Sequence, residues 1–157
     1  MKTAIIYYSL SGNTKKVADA LRLEFTKKGK VDLFEIKPLD ESNNFFQQSK
    51  RAFLKRDAKI YDIQTDLSEY DLVCLGTPVW AFGPAPAMRA YLKMCSGVSG
   101  KTILLFLTSG GMGNSRCFKE MESILKEKNS GAFIHLSYPQ SKLTDSEFIS
   151  KEIKSVI

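Results

Sequence analysis

Neutral hydrogen-bond donors are concentrated in one six-residue segment near the start of the chain. Four of its six side chains carry a hydroxyl or an amide, and its glycine allows the backbone to approach a ligand closely. Together with backbone N–H groups, such donors can hold a phosphate without a cationic side chain. The segment consists of Ser9, Leu10, Ser11, Gly12, Asn13 and Thr14.

The flanking residues place this segment between a strand and a helix. Thr3–Tyr8 is a continuous apolar and β-prone run, which predicts a strand buried on both faces. Apolar residues then recur at helical spacing from Val17 to Phe25, and Gly29 ends the pattern. We therefore predict a strand-to-helix turn whose unpaired N–H groups attract an anion. The simpler alternative is an N-cap turn rich in serine, asparagine and threonine.

The motif differs from the two commonest nucleotide-binding loops. The chain contains neither Gly-x-x-x-x-Gly-Lys-Ser/Thr nor Gly-x-Gly-x-x-Gly, which excludes a Walker A loop and a Rossmann dinucleotide loop. The segment Ser9–Thr14 instead resembles the phosphate-binding loop of the flavodoxins, whose usual form is Thr-x-Thr-Gly-Asn-Thr. This resemblance implies that the cofactor is FMN, held through its single phosphate, rather than FAD.

Composition limits the class of protein and its partners. The chain has 157 residues, 43% of them hydrophobic and 25% charged, which predicts one globular domain spanning residues 1–157. It has no apolar run of membrane-spanning length and no signal-peptide pattern, so we expect a cytoplasmic protein. The net charge of +6 favours anionic partners.

The cysteines and the histidine offer little for catalysis or metal binding. Cys74, Cys95 and Cys117 are widely spaced, form no Cys-x-x-Cys pair and begin no Cys-x₅-Arg phosphatase loop, so we expect free buried thiols. His135 lies inside an apolar run, which is more typical of a structural residue than of a base. No metal site can be assembled from these residues.

Five predicted strands alternate with helices along the chain. The predicted strands are Thr3–Tyr8, Val31–Ile36, Leu72–Leu75, Ile103–Leu107 and Ala132–Ser137. The acidic residues of the second strand indicate an edge position. A helix is predicted to begin at Pro84 or Pro86, and Thr144–Glu147 is predicted to form the capping box of a final helix.

A basic helix face is predicted between the second and third strands. The helix should run from Ser42 to about Lys59. Its basic residues are Lys50, Arg51, Lys55, Arg56 and Lys59. The face is either a solvated surface or a docking surface for an acidic partner, and without an aromatic stacking pattern we do not expect nucleic acid.

The alternation of strands and helices predicts an α/β protein with a doubly wound five-stranded parallel sheet. The resemblance to the flavodoxins implies the strand order 2-1-3-4-5, with the ligand at the carboxyl ends of the first and third strands. Response regulators share this fold but need acidic residues at those ends. This chain has Ser9 and Thr77 there, which excludes that class.

A second unusual loop follows the third strand. Gly76–Gly83 resembles the flavodoxin loop Gly-x-Pro-Thr-Trp-x-x-Gly, which implies that Trp80 lies against the isoalloxazine ring and that the Ala81 peptide faces flavin N5. The alternative places Trp80 in the core. The candidate residues are Thr77, Pro78, Val79, Trp80, Ala81, Phe82 and Gly83.

A third loop, after the fourth strand, corresponds to the flavodoxin segment that wraps the far side of the flavin. It lacks the usual acidic residue and the tyrosine that follows it, so one ring face would be uncovered or covered only by Met112. The candidate residues are Ser109, Gly110, Gly111, Met112 and Gly113.

The resemblance leaves two functions open. The chain is either a one-electron carrier that docks a redox protein, with an acidic partner favoured by its charge, or an NAD(P)H-dependent FMN or quinone oxidoreductase. Neither needs a catalytic acid or base, because the flavin supplies the chemistry. A flavin-free interaction domain is a poorer alternative, since the phosphate-binding segment is complete. No membrane partner is expected.

Overall fold

A computed structural model describes residues 1–39 and 58–156 of the chain. The strands are β1 (Lys2–Tyr7), β2 (Lys30–Glu35), β3 (Leu72–Trp80), β4 (Gly83–Pro84), β5 (Ile103–Ser109) and β6 (Phe133–Pro139). The helices are α1 (Asn13–Thr26), α2 (Pro86–Met94), α3 (Asn114–Lys126) and α4 (Ser146–Lys154), with a 3₁₀ turn at Gln140–Lys142. No helix among the described residues is both long and apolar enough to cross a membrane.

Five strands form a parallel sheet in the order β2-β1-β3-β5-β6, and the two-residue strand β4 pairs antiparallel with β3. This arrangement confirms the predicted fold class and the predicted order of the five parallel strands. It also confirms that the second strand is at the edge. The central strands are apolar because helices cover both faces of the sheet: all seven residues of β5 are buried.

Two apolar clusters lie on the two faces of the sheet. Side chains of α2 and α3, such as Tyr91 and Met121, pack on one face. Side chains of α1 and α4, such as Leu21 and Ile153, pack on the other. The doubly wound architecture brings the carboxyl ends of β1, β3 and β5 together at one end of the sheet, where ligands bind in this class of fold.

The third strand is longer than predicted. The sequence indicated a loop from Gly76, but β3 continues to Trp80 and turns back into β4. The extension is possible because Gly76, Thr77 and Pro78 pair with β5. A side chain at Gly76 would overlap the Phe106 ring, so the close approach of these two strands requires glycine.

Two helix boundaries differ from the predictions. Asp145 rather than Thr144 is the N-cap of α4, and its Oδ1 accepts a hydrogen bond of 2.8 Å from the Phe148 N–H. A carboxylate accepts more strongly than a hydroxyl and also opposes the helix dipole. Helix α2 begins at Pro86, one of the two predicted positions.

The predicted helix from Ser42 lies outside the described residues except at its last two positions. There Ala58 and Lys59 are not helical, and the Lys59 carbonyl accepts a hydrogen bond of 2.8 Å from the Leu39 N–H. These two residues are therefore not part of the predicted helix. Of the predicted basic face, Lys50, Arg51, Lys55 and Arg56 lie outside the described residues.

Candidate functional site

A cleft of about 360 Å³ opens at the carboxyl ends of β1, β3 and β5. No charged side chain lines the cleft within the described part of the chain. Its volume is within the range of small-molecule sites, which is roughly 300–1,000 Å³. The lining residues are Ser9, Leu10, Ser11, Asn13, Thr14, Pro78, Trp80, Thr108 and Gln140.

The predicted phosphate-binding segment forms one wall of this cleft at the N-terminus of α1. Gly12 is the N-cap with φ of +84°, a left-handed conformation that favours glycine. The described residues provide no side-chain cap and no acidic residue in the first turn of α1. The first N–H groups of α1 and its dipole are therefore available to an anion.

The side chain of Ser9 is a second feature, after the open N-terminus of α1, that indicates a ligand-binding site. Its Oγ is buried, yet it has no hydrogen-bond partner among the described residues. An unpartnered buried hydroxyl costs about 1–3 kcal/mol, so such a group is uncommon unless a ligand or water satisfies it. Ser9 lies two residues after the end of β1 and next to the buried Tyr8, so its hydroxyl is held at the cleft wall close to a rigid element.

Thr14 is fixed by a residue that the sequence analysis did not select. Its Oγ1 lies 2.9 Å from Thr108 Oγ1 in a buried hydrogen bond between α1 and β5. Thr108 and Gln140 both line the cleft and both were missed. Thr108 could have been suspected as a polar residue at the carboxyl end of an apolar strand, whereas no local signal distinguishes Gln140.

Trp80 is half-buried at the end of β3. Its ring meets the Tyr8 ring edge-on, with centroids 5.7 Å apart and an angle of 88° between the planes. It also packs against the apolar cluster under α2 and α3. Trp80 therefore rests on the core and contributes to the cleft lining, so it is not a fully buried core residue.

Pro78 also lines the cleft, and the remaining predicted residues of the second loop lie beside it. Thr77 is buried, and its Oγ1 accepts a hydrogen bond of 3.1 Å from the Ala85 N–H. Ala81 and Phe82 form a two-residue turn between the paired residues Trp80 and Gly83. Both central residues have positive φ, 48° and 65°, as in a type I′ turn. Each left-handed non-glycine residue costs about 1–2 kcal/mol, so this turn is strained.

The third loop contacts the second loop rather than lining the cleft. Ser109 is buried, and its Oγ accepts a hydrogen bond of 3.2 Å from the Gly111 N–H. Met112 is 74% exposed. A Cβ at Gly113 would lie only 2.9 Å from Phe82 Cδ1, so the lack of a side chain at Gly113 lets the two loops pack together.

The charged residues in the first turns of α1 and α3 are basic, although negative charge is favoured at helix N-termini. Lys15 pairs with Asp19 at 3.0 Å, and this hydrogen bond raises the pKa of the Lys15 ammonium. Lys16 and Arg116 are exposed. The surface around the uncharged cleft is thus positive near both helix starts.

The comparisons with known proteins agree with this architecture. A family model described as Flavodoxin matches residues 2–149 of the chain. The chain belongs to the flavodoxin family. A search of curated proteins found no match.

Solved structures of flavodoxins and related proteins share the fold. A protein from Bacteroides eggerthii that is assigned as a flavoprotein is 22% identical, with a TM-score of 0.73 over 99% of this chain and 97% of that one. A flavoprotein from Lactobacillus acidophilus, solved in complex with FMN, is 24% identical, with a TM-score of 0.66 over 93% and 98%. An archaeal flavodoxin is 18% identical, with a TM-score of 0.63 over 98% and 99%. At identities of 18–24%, the similarity to these structures establishes the fold of this flavodoxin.

Proposed function

We propose that this flavodoxin binds FMN in the cleft and carries single electrons between other redox proteins. The observation that carries the proposal is the buried Ser9 hydroxyl, which lacks a partner among the described residues and lies beside the open N-terminus of α1. Hydroxyl and amide donors together with free backbone N–H groups suit a phosphate. The structure of the Lactobacillus acidophilus flavoprotein with FMN supports the same choice of ligand.

The residues present fit this cofactor. Ser9, Ser11 and Asn13 would hold the phosphate together with the first N–H groups of α1, while Thr14 is fixed by Thr108. Trp80 would stack on the flavin ring. FMN supplies the redox chemistry when bound, and the chain binds it, orients it and excludes water from it.

The exposed apolar side chains next to the cleft favour a carrier. Leu10 is 40% exposed, Phe82 50% and Met112 74%. They come from the three loops at the carboxyl end of the sheet, so a partner docking there would cover the cleft and these side chains together. A carrier needs such a docking surface close to its redox centre.

We propose an acidic partner for this surface. Lys16 and Arg116 are exposed on the first turns of α1 and α3, where a positive charge is unfavourable for the helix. Lys142 is exposed in the 3₁₀ turn that follows β6 and includes the cleft residue Gln140. These positive charges lower helix stability, yet all of them lie around the opening of the cleft. Such a cluster would attract an acidic protein and orient it as it approaches.

A second candidate function is an NAD(P)H-dependent FMN or quinone oxidoreductase. It is favoured by one observation: Ser109–Gly113 does not line the cleft, which leaves that side open to a nicotinamide ring. Hydride transfer requires close approach of the two rings, so it depends on such an opening.

Binding and rapid-mixing measurements test the proposal. We expect FMN to bind more tightly than riboflavin or FAD in equilibrium dialysis, because only FMN presents a single terminal phosphate. Stopped-flow mixing of the FMN-loaded protein with NADPH should give slow reduction, and adding a flavoprotein reductase should make it fast. Equal affinity for riboflavin would contradict the phosphate site. Reduction by NADPH alone within milliseconds, with turnover on a quinone, would establish the oxidoreductase instead.

A further inference from the structure

A largely buried ion pair, whose glutamate Glu120 is 17% exposed, lies directly behind the turn at Ala81 and Phe82. Arg89, on α2, is only 4% exposed, and its Nε donates a hydrogen bond of 2.7 Å to Glu120 Oε1 on α3. The same guanidinium uses its Nη2 to donate a hydrogen bond of 3.2 Å to the Pro84 carbonyl. Arg89 thus connects both helices to β4, which forms the return arm of the turn.

The turn is confined between this pair and the third loop. A Cβ at Gly83 would lie 2.9 Å from Glu120 Oε2 and 3.2 Å from Arg89 Nη2. On the other side, a Cβ at Gly113 would lie 3.0 Å from Phe82 Cα. Two consecutive left-handed non-glycine residues persist only where the surroundings determine their conformation, and these contacts supply that constraint.

Global stability alone does not explain a largely buried pair at this position. Replacing both partners of a buried ion pair by apolar residues of similar size often leaves stability unchanged or raises it. The pair also leaves Arg89 Nη1 buried without a partner among the described residues, which is a further cost. The local benefit visible in the structure is the position of Gly83 and Pro84.

We propose that Arg89 and Glu120 are positioning residues that hold the Trp80–Gly83 turn in its left-handed conformation before any ligand binds. The consequence for flavin affinity rests on the proposed function. If the turn is ordered in the free protein, the ligand does not have to select a minor conformation. If only one molecule in ten had the turn ordered, the apparent affinity would fall about tenfold.

The test is a double substitution, Arg89→Met with Glu120→Met, examined first without ligand. Removing both charges avoids an unpaired buried charge, so this variant should fold with a urea-unfolding midpoint close to that of the parent. If the turn is ordered in only about one variant molecule in ten, amide hydrogen exchange at Trp80 and Gly83 should lose its protection and approach the rate of an unstructured peptide, because most molecules are open there. Fluorescence of Trp80, the single tryptophan of the chain, should shift to longer wavelength as its ring becomes more exposed.

A matched double substitution on α3, the helix that carries Glu120, provides the control. Glu122→Met with Lys126→Met removes a pair of 2.6 Å whose glutamate is 17% exposed, like Glu120, but whose lysine is 60% exposed. Glu122 contacts His135 on β6 rather than the turn. This control should leave exchange at Trp80 and Gly83 unchanged. Arg89→Lys keeps the positive charge but loses the planar guanidinium, which donates to Glu120 and to the Pro84 carbonyl at once. Exchange at Trp80 and Gly83 in this variant should therefore be faster than in the parent and slower than in the double variant.

Ligand binding then separates the two proposals. We expect the Arg89→Met, Glu120→Met variant to bind FMN about tenfold more weakly than the parent. Unchanged exchange at Trp80 and Gly83 in the free variant would overturn the positioning role, whatever the parent binds. If the parent itself fails to bind FMN, the proposed function is wrong, but the exchange measurement still decides the role of the pair.

Discussion

At the scale of single residues, the unpartnered hydroxyl of Ser9 is expected to contribute to ligand binding but not to folding stability. A buried donor without a partner lowers the stability of the free protein and gains its partner only when a ligand arrives. Thr3 on β1 provides an internal comparison, because its Oγ1 is also buried without a partner among the described residues. Thr3, however, lies at the opposite end of β1 from the cleft.

The substitution Ser9→Ala should therefore have opposite effects on two measurements. FMN affinity should fall by about 1.5–3 kcal/mol, the usual value of a hydrogen bond to a charged group. Urea unfolding of the free protein should show equal or greater stability. As the control, Thr3→Val should also preserve or raise stability but leave the FMN dissociation constant unchanged. A loss of stability in Ser9→Ala without a loss of affinity would show that its hydroxyl is structural.

At the scale of elements, the two-residue turn between β3 and β4 uses residues that its geometry disfavours. Type I′ turns usually contain asparagine or glycine, whereas this one contains Ala81 and Phe82. Elsewhere the chain follows the usual rule, since Asn129 occupies a position with φ of 57°. The strain is therefore local to the loop beside the cleft, as expected where function rather than stability selects the residues.

A reciprocal pair of substitutions measures this strain. Ala81→Asn should raise the free energy of unfolding by about 0.5–1 kcal/mol, because asparagine tolerates the left-handed conformation better. Asn129→Ala should lower it by a similar amount for the same reason. Thermal or urea unfolding gives both values. If Ala81→Asn were destabilising while Asn129→Ala behaved as expected, Ala81 would have to make contacts that compensate for its backbone conformation.

The elements show what local sequence could predict. The Ser9–Thr14 turn follows from periodicity and a contiguous motif, and the edge position of β2 follows from its acidic residues. The order of the parallel strands follows from the resemblance to the flavodoxins. The β3–β4 hairpin could not be predicted in this way, because pairing with β5 extends β3 beyond Leu75. Likewise, the Thr14–Thr108 hydrogen bond and the Arg89–Glu120 pair join residues 94 and 31 positions apart. Such contacts depend on tertiary packing that no local pattern encodes.

At the scale of the whole molecule, three buried thiols report on global unfolding. All three are free and buried: Cys74 on β3, Cys95 at the C-cap of α2 and Cys117 on α3. Burial raises the pKa of each thiol, and that of Cys95 reaches about 11. At pH 8 the reactive thiolate is therefore scarce in the native state.

We expect a thiol reagent at pH 8 to leave the native protein unmodified over minutes and to react with all three cysteines once urea unfolds the chain. Because the folded-state pKa values exceed those of free thiols, raising the pH through the range near the free value deprotonates the unfolded state first. Stability should therefore decline as the pH rises above about 8.5, the pKa of a free thiol. Rapid modification of one cysteine in the native protein would reveal local opening of the element that carries it.

The absence of charge among the described residues that line the cleft has a consequence for how the proposed FMN carrier would work in a cell. Dipoles and hydroxyl donors would balance the phosphate of FMN inside the cleft, so retention of the cofactor should depend little on ionic strength. The basic residues outside it would act on a partner through solvent, where salt screens charges beyond about 8 Å at physiological ionic strength. The molecule could then release a partner as salt rises while still holding its flavin.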